Sequence, residues 1–87
     1  MTYRLTITPR AQKALEGLPA RDQRRLDQRI LALTDDPRPR GSVKLEHETP
    51  LWRIRSGEYR AIYSIDDVDH VVTIVHIAHC RDVYRGL

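Results

Sequence analysis

Two hydrophobic rhythms divide this chain, and a segment that no helix can cross separates them. From Pro9 to Leu33 the apolar residues recur at helical spacing: Ala11, Ala14, Leu15 and Leu18 first, then Leu26, Ile30 and Leu33. From Leu51 onward they come in short runs that alternate with polar residues, the signature of half-buried strands. The divider is Asp35-Asp36-Pro37-Arg38-Pro39-Arg40-Gly41. Its two prolines remove backbone donors and push the residues before them out of the helical region. A helical half followed by an alternating half requires an α+β arrangement in which one helical layer covers one sheet face.

Residues 2–8 also alternate, with Tyr3, Leu5 and Ile7 on one face and Arg4 and Thr6 on the other, so a strand opens the chain. Thr8 is a helix cap, and Pro9 suits the first helical position, where no amide hydrogen is missed. Gly17 is placed to end that helix in a left-handed conformation. A second helix starts at Pro19 or Ala20 and runs to about Leu33, with Arg21, Arg24, Arg25 and Gln28 pointing away from its apolar stripe. Strands are expected over Leu51 to Arg55, Tyr59 to Ile65 and Val71 to Ala78, a meander interrupted at Ser56-Gly57 and from Asp66 to His70. The predicted order is β-α-α-β-β-β: two N-terminal helices packed on one face of a small, mostly antiparallel sheet, with a short C-terminal helical tail. With 87 residues and no repeat or linker, one domain spanning 1–87 is expected.

No stretch approaches transmembrane length, and the opening Met1-Thr2-Tyr3-Arg4-Leu5 lacks the uninterrupted apolar run of a signal peptide. Cys80, the single cysteine, can close no internal disulfide and supplies too few sulfurs for a structural zinc site. The expected compartment is a reducing cytoplasm, without membrane association. The net charge of +3 is a mild excess compatible with a nucleic-acid partner. The kind of cation says more than the sum. Only Lys13 and Lys44 are lysines, and every other fixed cation is an arginine, whose planar fork matches phosphate oxygens. An arginine-rich surface also follows from GC-rich coding sequence, so position has to decide.

Taking Ser56-Gly57 as a two-residue hairpin loop sets Arg55 opposite Glu58, Ile54 opposite Tyr59, Arg53 opposite Arg60 and Trp52 opposite Ala61. Cross-strand partners share a face, so Trp52, Ile54, Tyr59, Ala61 and Tyr63 meet the helices while Arg53, Arg55 and Arg60 project from the other side. Directly opposed like charges destabilise a hairpin by ~0.2 to 1 kcal/mol, and an anion seated between them relieves that repulsion. The plainer alternative is the solvated outer face of an antiparallel sheet, with Glu58 neutralising one arginine. His76 and His79, three apart on a strand, point to opposite faces and make a poor metal pair. Neither a metal nor another cofactor is expected.

The run Leu51-Trp52-Arg53-Ile54-Arg55-Ser56-Gly57-Glu58-Tyr59-Arg60-Ala61-Ile62-Tyr63 resembles the signature stretch of the RelE/ParE toxin superfamily. Val72-Thr73-Ile74-Val75-His76-Ile77-Ala78-His79-Cys80-Arg81-Asp82-Val83-Tyr84-Arg85 is similar to the final strand and tail of its RelE-like members. The resemblance covers essentially the whole chain. It implies a type II toxin that enters the ribosomal decoding site, cleaves messenger RNA without a metal, and is held inactive in a hetero-oligomer with a cognate antitoxin. It further implies that Arg53, Arg55 and Arg60 are cations at the scissile phosphate, that Tyr84 stacks on a substrate base, and that Lys44 adds a basic group from a loop. RNA supplies the nucleophile, since the ribose 2′-hydroxyl attacks its own 3′-phosphate, so positioning and charge stabilisation are what the protein provides. Arginine stays protonated and makes a poor base, which leaves Lys44 and His79 as candidates for proton transfer.

Two positions depart from the family pattern. Cys80 stands where an arginine is usual, with Arg81 next to it as the replacement cation, and Glu46-His47 stand near the place of a usual loop glycine. The same fold is shared with ParE-like toxins that poison DNA gyrase and with inactive binding relatives, so fold alone does not choose among them. Through Arg40 there are nine basic and five acidic residues, and from Gly41 onward six and seven. The basic surplus therefore sits away from the proposed sheet, and Arg21, Arg24, Arg25, Arg38 and Arg40 are assigned to ribosomal RNA contact.

Overall fold

Strand β1 (Arg4–Ile7) passes directly into helix α1 (Pro9–Glu16) because Thr8 and Pro9 together make a helix start. Thr8 is extended, its Oγ1 accepts the Ala11 amide at 3.2 Å, and Pro9 occupies the first turn without wasting a donor. Helix α2 (Ala20–Ala32) follows Pro19, which has no side chain able to cap it. The computed structural model, which describes residues 2–81, then adds β2 (Val43–Leu45), β3 (Leu51–Ser56), β4 (Tyr59–Asp66) and β5 (Val71–His79). The five strands form one sheet in the order β1-β5-β4-β3-β2, with β1 parallel to β5 and every other neighbour antiparallel. The expected short helical tail lies outside the described residues.

The architecture follows the expected order, with one addition. Val43–Leu45, expected to lie in a loop, pairs antiparallel with β3 as a three-residue edge strand. Three residues are too few for an alternation to stand out, and the strand is recognisable only once β3 offers it an edge. Gly17 also differs from expectation: its φ of −81° is right-handed, so α1 ends without a left-handed cap. Its amide instead reaches the Lys13 and Ala14 carbonyls, both at 3.2 Å.

One face of the sheet carries the main core. Ala11 and Leu15 from α1 and Leu26, Ile30 and Leu33 from the second helical segment pack on Ile54, Ala61, Tyr63, Val72, Ile74 and Ile77. Full burial of side chains such as Leu26 and Leu33 is worth ~1.5–3 kcal/mol each. Tyr63 also anchors the proline segment: its hydroxyl donates to the Pro37 carbonyl at 2.8 Å, and burial pushes the phenol up to about 12. The opposite face is not wholly polar. Leu51 and Ile62 are buried there, with Leu45, Val75 and Ala78 packed against them.

A β-carbon at Gly17 would meet the Ala14 and Lys13 carbonyl oxygens at 3.5 and 3.6 Å, ordinary contact distances, and its φ suits any L residue. Gly17→Ala is expected to raise stability by ~0.4–1 kcal/mol through the unfolded chain's entropy. A denaturant midpoint that falls in the variant would contradict this reading of the helix end.

Candidate nucleic-acid interface

The site is built by a turn. Ser56 pairs with Tyr59, so the loop between β3 and β4 is Gly57-Glu58, one residue later than the sequence suggested. The physical reason is backbone conformation: Gly57 has φ +61° at the first central position, where a type II′ hairpin needs a residue without a β-carbon. The partners become Arg55 with Arg60, Ile54 with Ala61, Arg53 with Ile62 and Trp52 with Tyr63. Pairing therefore slips by two residues along β4, which preserves every face and changes only which arginines meet.

On the face away from the helices the strands form two adjacent rows. One is Arg55, Arg60 and Ala78; the next is Val43, Arg53, Ile62 and His76. Arg55 and Arg60 are directly opposed, which puts their β-carbons ~4.5–5.5 Å apart. Arg55 turns its Nε to the Gly57 carbonyl at 2.8 Å. The Nε of Arg60 is enclosed and has no hydrogen-bond partner among the described residues. Arg53, Arg55 and Arg60 share this face with the buried apolar pair Leu51 and Ile62 and make it cationic, suited to an anionic ligand.

His76 belongs to this face because of an irregularity in β5. Ile62 pairs with His76 while Tyr63 pairs with Ile74, so Val75 is an extra residue. The bulge reverses the inward and outward alternation beyond it. Without it, His76 would follow Val72 and Ile74 into the helix side. The signal was present in the sequence, since the buried residues of β5 are Val72, Ile74 and then Ile77, a spacing of two followed by three.

Other predicted site residues are placed elsewhere. His79 pairs with Tyr59 on the helix side, where its ring meets the Tyr59 ring edge-on at 5.5 Å, its Nε2 lies 3.5 Å from Glu58 and its Nδ1 accepts the Arg81 amide at 3.2 Å. Lys44 shares the face of Trp52, not that of Arg53, and with Leu45, Glu46, His47 and Pro50 lines a surface cavity of about 480 Å³. Neither candidate for proton transfer is on the arginine face. Arg81 is exposed just past β5, Cys80 is half-buried beside it, and Tyr84 lies outside the described residues.

The basic residues assigned to ribosomal contact divide. Arg21, Arg24 and Arg25 are exposed on the outer side of α2, across the sheet from the arginine face, and Arg40 is exposed in the loop. Arg38 does not join them. Its guanidinium grips Asp67 through two bonds of 2.7 and 3.3 Å and lies 5.2 Å from the centre of the Trp52 ring. Asp67 also accepts the Tyr3 hydroxyl at 2.6 Å, so the network ties the proline segment to the β4–β5 turn and the start of the chain. Hydrogen bonds from Arg38 and Tyr3 hold the Asp67 carboxyl down at about 2. Local sequence could not reveal a partner 29 residues away.

A five-stranded sheet with two helices on one side and clustered arginines on the other defines a class, and comparison with known proteins places the chain within it. Residues 5–84 match the family described as the ParE toxin of type II toxin-antitoxin system, parDE. Toxin RelE of Mycobacterium tuberculosis is 35% identical over 81 residues, covering 83% of this chain and 84% of that protein. The crystal structure of the archaeal RelE-RelB complex from Pyrococcus horikoshii superimposes with a TM-score of 0.80 at 37% identity, covering 91% of this chain and 96% of that one. The toxin-antitoxin complex RelBE2 from Mycobacterium tuberculosis gives 0.79 at 28% identity, with 91% and 99% covered. The chain belongs to the RelE/ParE superfamily and is a RelE-like toxin of the type II toxin-antitoxin class. Among the described residues no helix is long and apolar enough to cross a membrane.

The depressed carboxyl of Asp67 links stability to pH. Unfolded, it titrates near its ordinary 3.8, and folded near about 2. Its contribution is therefore complete above the first value and is lost as pH falls through the second. The stability difference between the wild type and Asp67→Asn, measured by denaturant unfolding, is expected to hold constant from neutrality to mildly acid pH and then shrink in that window. A difference that ignores pH would remove Asp67 from the network.

Proposed function

We propose that this toxin is a ribosome-dependent endoribonuclease that cleaves messenger RNA by attack of a ribose 2′-hydroxyl on the adjacent phosphate. The observation that carries the reading is the opposed pair Arg55 and Arg60 with Arg53 in the next row, three cations fixed by strand pairing on one face. A phosphate bound there screens the repulsion between the opposed pair and meets cationic donors near the charge that grows as the 2′-oxygen attacks. No protein nucleophile is needed, because the substrate carries its own. Metal independence belongs to the same proposal: guanidinium groups fill the role of the divalent cation in spreading phosphoryl charge.

Tyr84 and Arg81, at the tail, complete the substrate contacts in this proposal, with Tyr84 stacking on a base and Arg81 standing in for the arginine that Cys80 replaces. Lys44 and His79 face the other way and are left out of the reaction. Arg21, Arg24, Arg25 and Arg40 hold ribosomal RNA through phosphate contacts. The partner is a cognate antitoxin that covers the arginine face in a cytoplasmic hetero-oligomer. Support comes from the RelE-RelB and RelBE2 complexes, relatives that were solved with their antitoxins.

Purified protein added to a cell-free translation reaction is expected to cut messenger only when ribosomes are present. Blocked plasmid supercoiling without cleavage would establish a gyrase poison instead, and neither effect would leave a binding relative. Arg60→Ala is expected to lower cleavage at least ~10²-fold, by analogy with removal of one oxyanion donor, with folding retained. Charge reversal at Arg24 and Arg25 should weaken ribosome binding and flatten its salt dependence, because fewer counterions are released. Unchanged affinity would take the helical arginines out of ribosome recognition.

A further inference from the structure

We infer that the cavity at the β2 rim of the sheet is a base-recognition subsite, taking a messenger nucleobase that bears an amino group; the inference rests on the nuclease reading above. Lys44, Leu45, Glu46, His47 and Pro50 line a hollow of about 480 Å³. Small-ligand sites run from ~300 to 1,000 Å³, so there is room for one nucleotide. β2 is the last strand in the sheet, and no strand among the described residues covers its outer edge. The hollow meets the arginine face through Leu45, which stands opposite Leu51 and packs against the buried pair Leu51 and Ile62. Along β3, Leu51 is ~13 Å from Arg55, about two phosphate-to-phosphate strides of an extended single strand. A messenger whose cut phosphate lies at Arg55 and Arg60 therefore brings a neighbouring base to this rim.

The lining decides which base. Leu45 and Pro50 give apolar surface to a flat ring, and His47 adds a ring of its own, tied to its loop by the Thr49 amide, which donates to Nδ1 at 3.4 Å. Glu46 supplies an ionised carboxylate, which accepts hydrogen bonds and donates none. It can hold the amino group of adenine, cytosine or guanine. Uracil offers no amino group and sets carbonyl oxygens beside its one N–H, so it meets the carboxylate poorly. Lys44 brings a cation for the phosphate attached to that nucleotide, a use separate from the proton transfer for which it is misplaced. Phosphate contacts position a strand and base contacts specify it, so the two charged residues have different expected effects. Glu46 and His47 also stand near the place of a usual loop glycine, so the wall they build is a feature of this chain.

The test is single-turnover cleavage on programmed ribosomes, with the bases on both sides of the cut varied one at a time. At one position the wild type should cut messages bearing adenine, cytosine or guanine at least ~10-fold faster than those bearing uracil, the effect of losing a hydrogen bond to a charged group. Glu46→Gln, whose amide both donates and accepts, should bring uracil within a few-fold of the others there, and Lys44→Ala should slow all four alike. Both side chains are exposed, so folding should be retained, which circular dichroism checks. A second readout needs no cleavage: titrating the toxin with short 2′-deoxy oligonucleotides should shift the amide resonances of Leu45, Glu46 and His47, and shift them less when deoxyuridine replaces the favoured base. Cleavage without any uracil penalty, a penalty that Glu46→Gln leaves at its wild-type size, or resonance shifts that spare these three residues would overturn the subsite while leaving the nuclease reading intact. A wild-type protein that never cuts on ribosomes overturns both.

Discussion

The left-handed backbone at Gly57 is the constraint on which the rest of this structure depends. It starts the hairpin loop one residue later than Ser56, and that choice fixes the pairing of β3 on β4. Because the side-chain period of a strand is two, a slip of two residues leaves the core untouched but decides which cations face each other. Arg55 is brought opposite Arg60, and Arg53 is set beside the apolar Ile62. The opposition of these two cations is thus specified by backbone geometry.

The two sheet faces divide the work. One is filled by α1 and α2, and Tyr63 uses the same burial to hold the proline segment by its hydroxyl. The other carries Arg53, Arg55 and Arg60 on the same side as a small buried apolar cluster. Where an arginine has a built-in partner, it serves the fold. Arg38, gripped by Asp67 and laid near Trp52, ties three segments together that are distant in sequence. Arg55 and Arg60, by contrast, are paired directly across neighbouring strands, an arrangement of like charges that is unfavourable by itself.

Much of this was legible in the residues. The change of hydrophobic rhythm across Asp35–Gly41 announced two helices followed by strands, and Arg53, Arg55 and Arg60 could be put on one face by parity alone. What local pattern could not supply were features that depend on distant partners. The edge strand Val43–Leu45 exists because β3 offers it hydrogen bonds. Arg38 looked like a solvent-facing cation because Asp67 lies on a far turn. Alternation sets His76 and His79 on opposite faces but does not say which of them shares the arginine face, because it ignores the bulge that Val72, Ile74 and Ile77 betray by their spacing. Lys44, expected from a loop, takes the side of its edge strand that faces away from the arginines.

The central claim is that Arg55 and Arg60 oppose each other at the cost of stability so as to hold a phosphate. A double-mutant cycle on these two residues, measured by denaturant unfolding at low salt, tests it most directly. The account predicts an unfavourable coupling of ~0.2–1 kcal/mol in the free chain, and its disappearance when a 2′-deoxy oligonucleotide that cannot be cleaved is bound. A coupling that is zero or favourable in the free chain, and indifferent to the oligonucleotide, would contradict it.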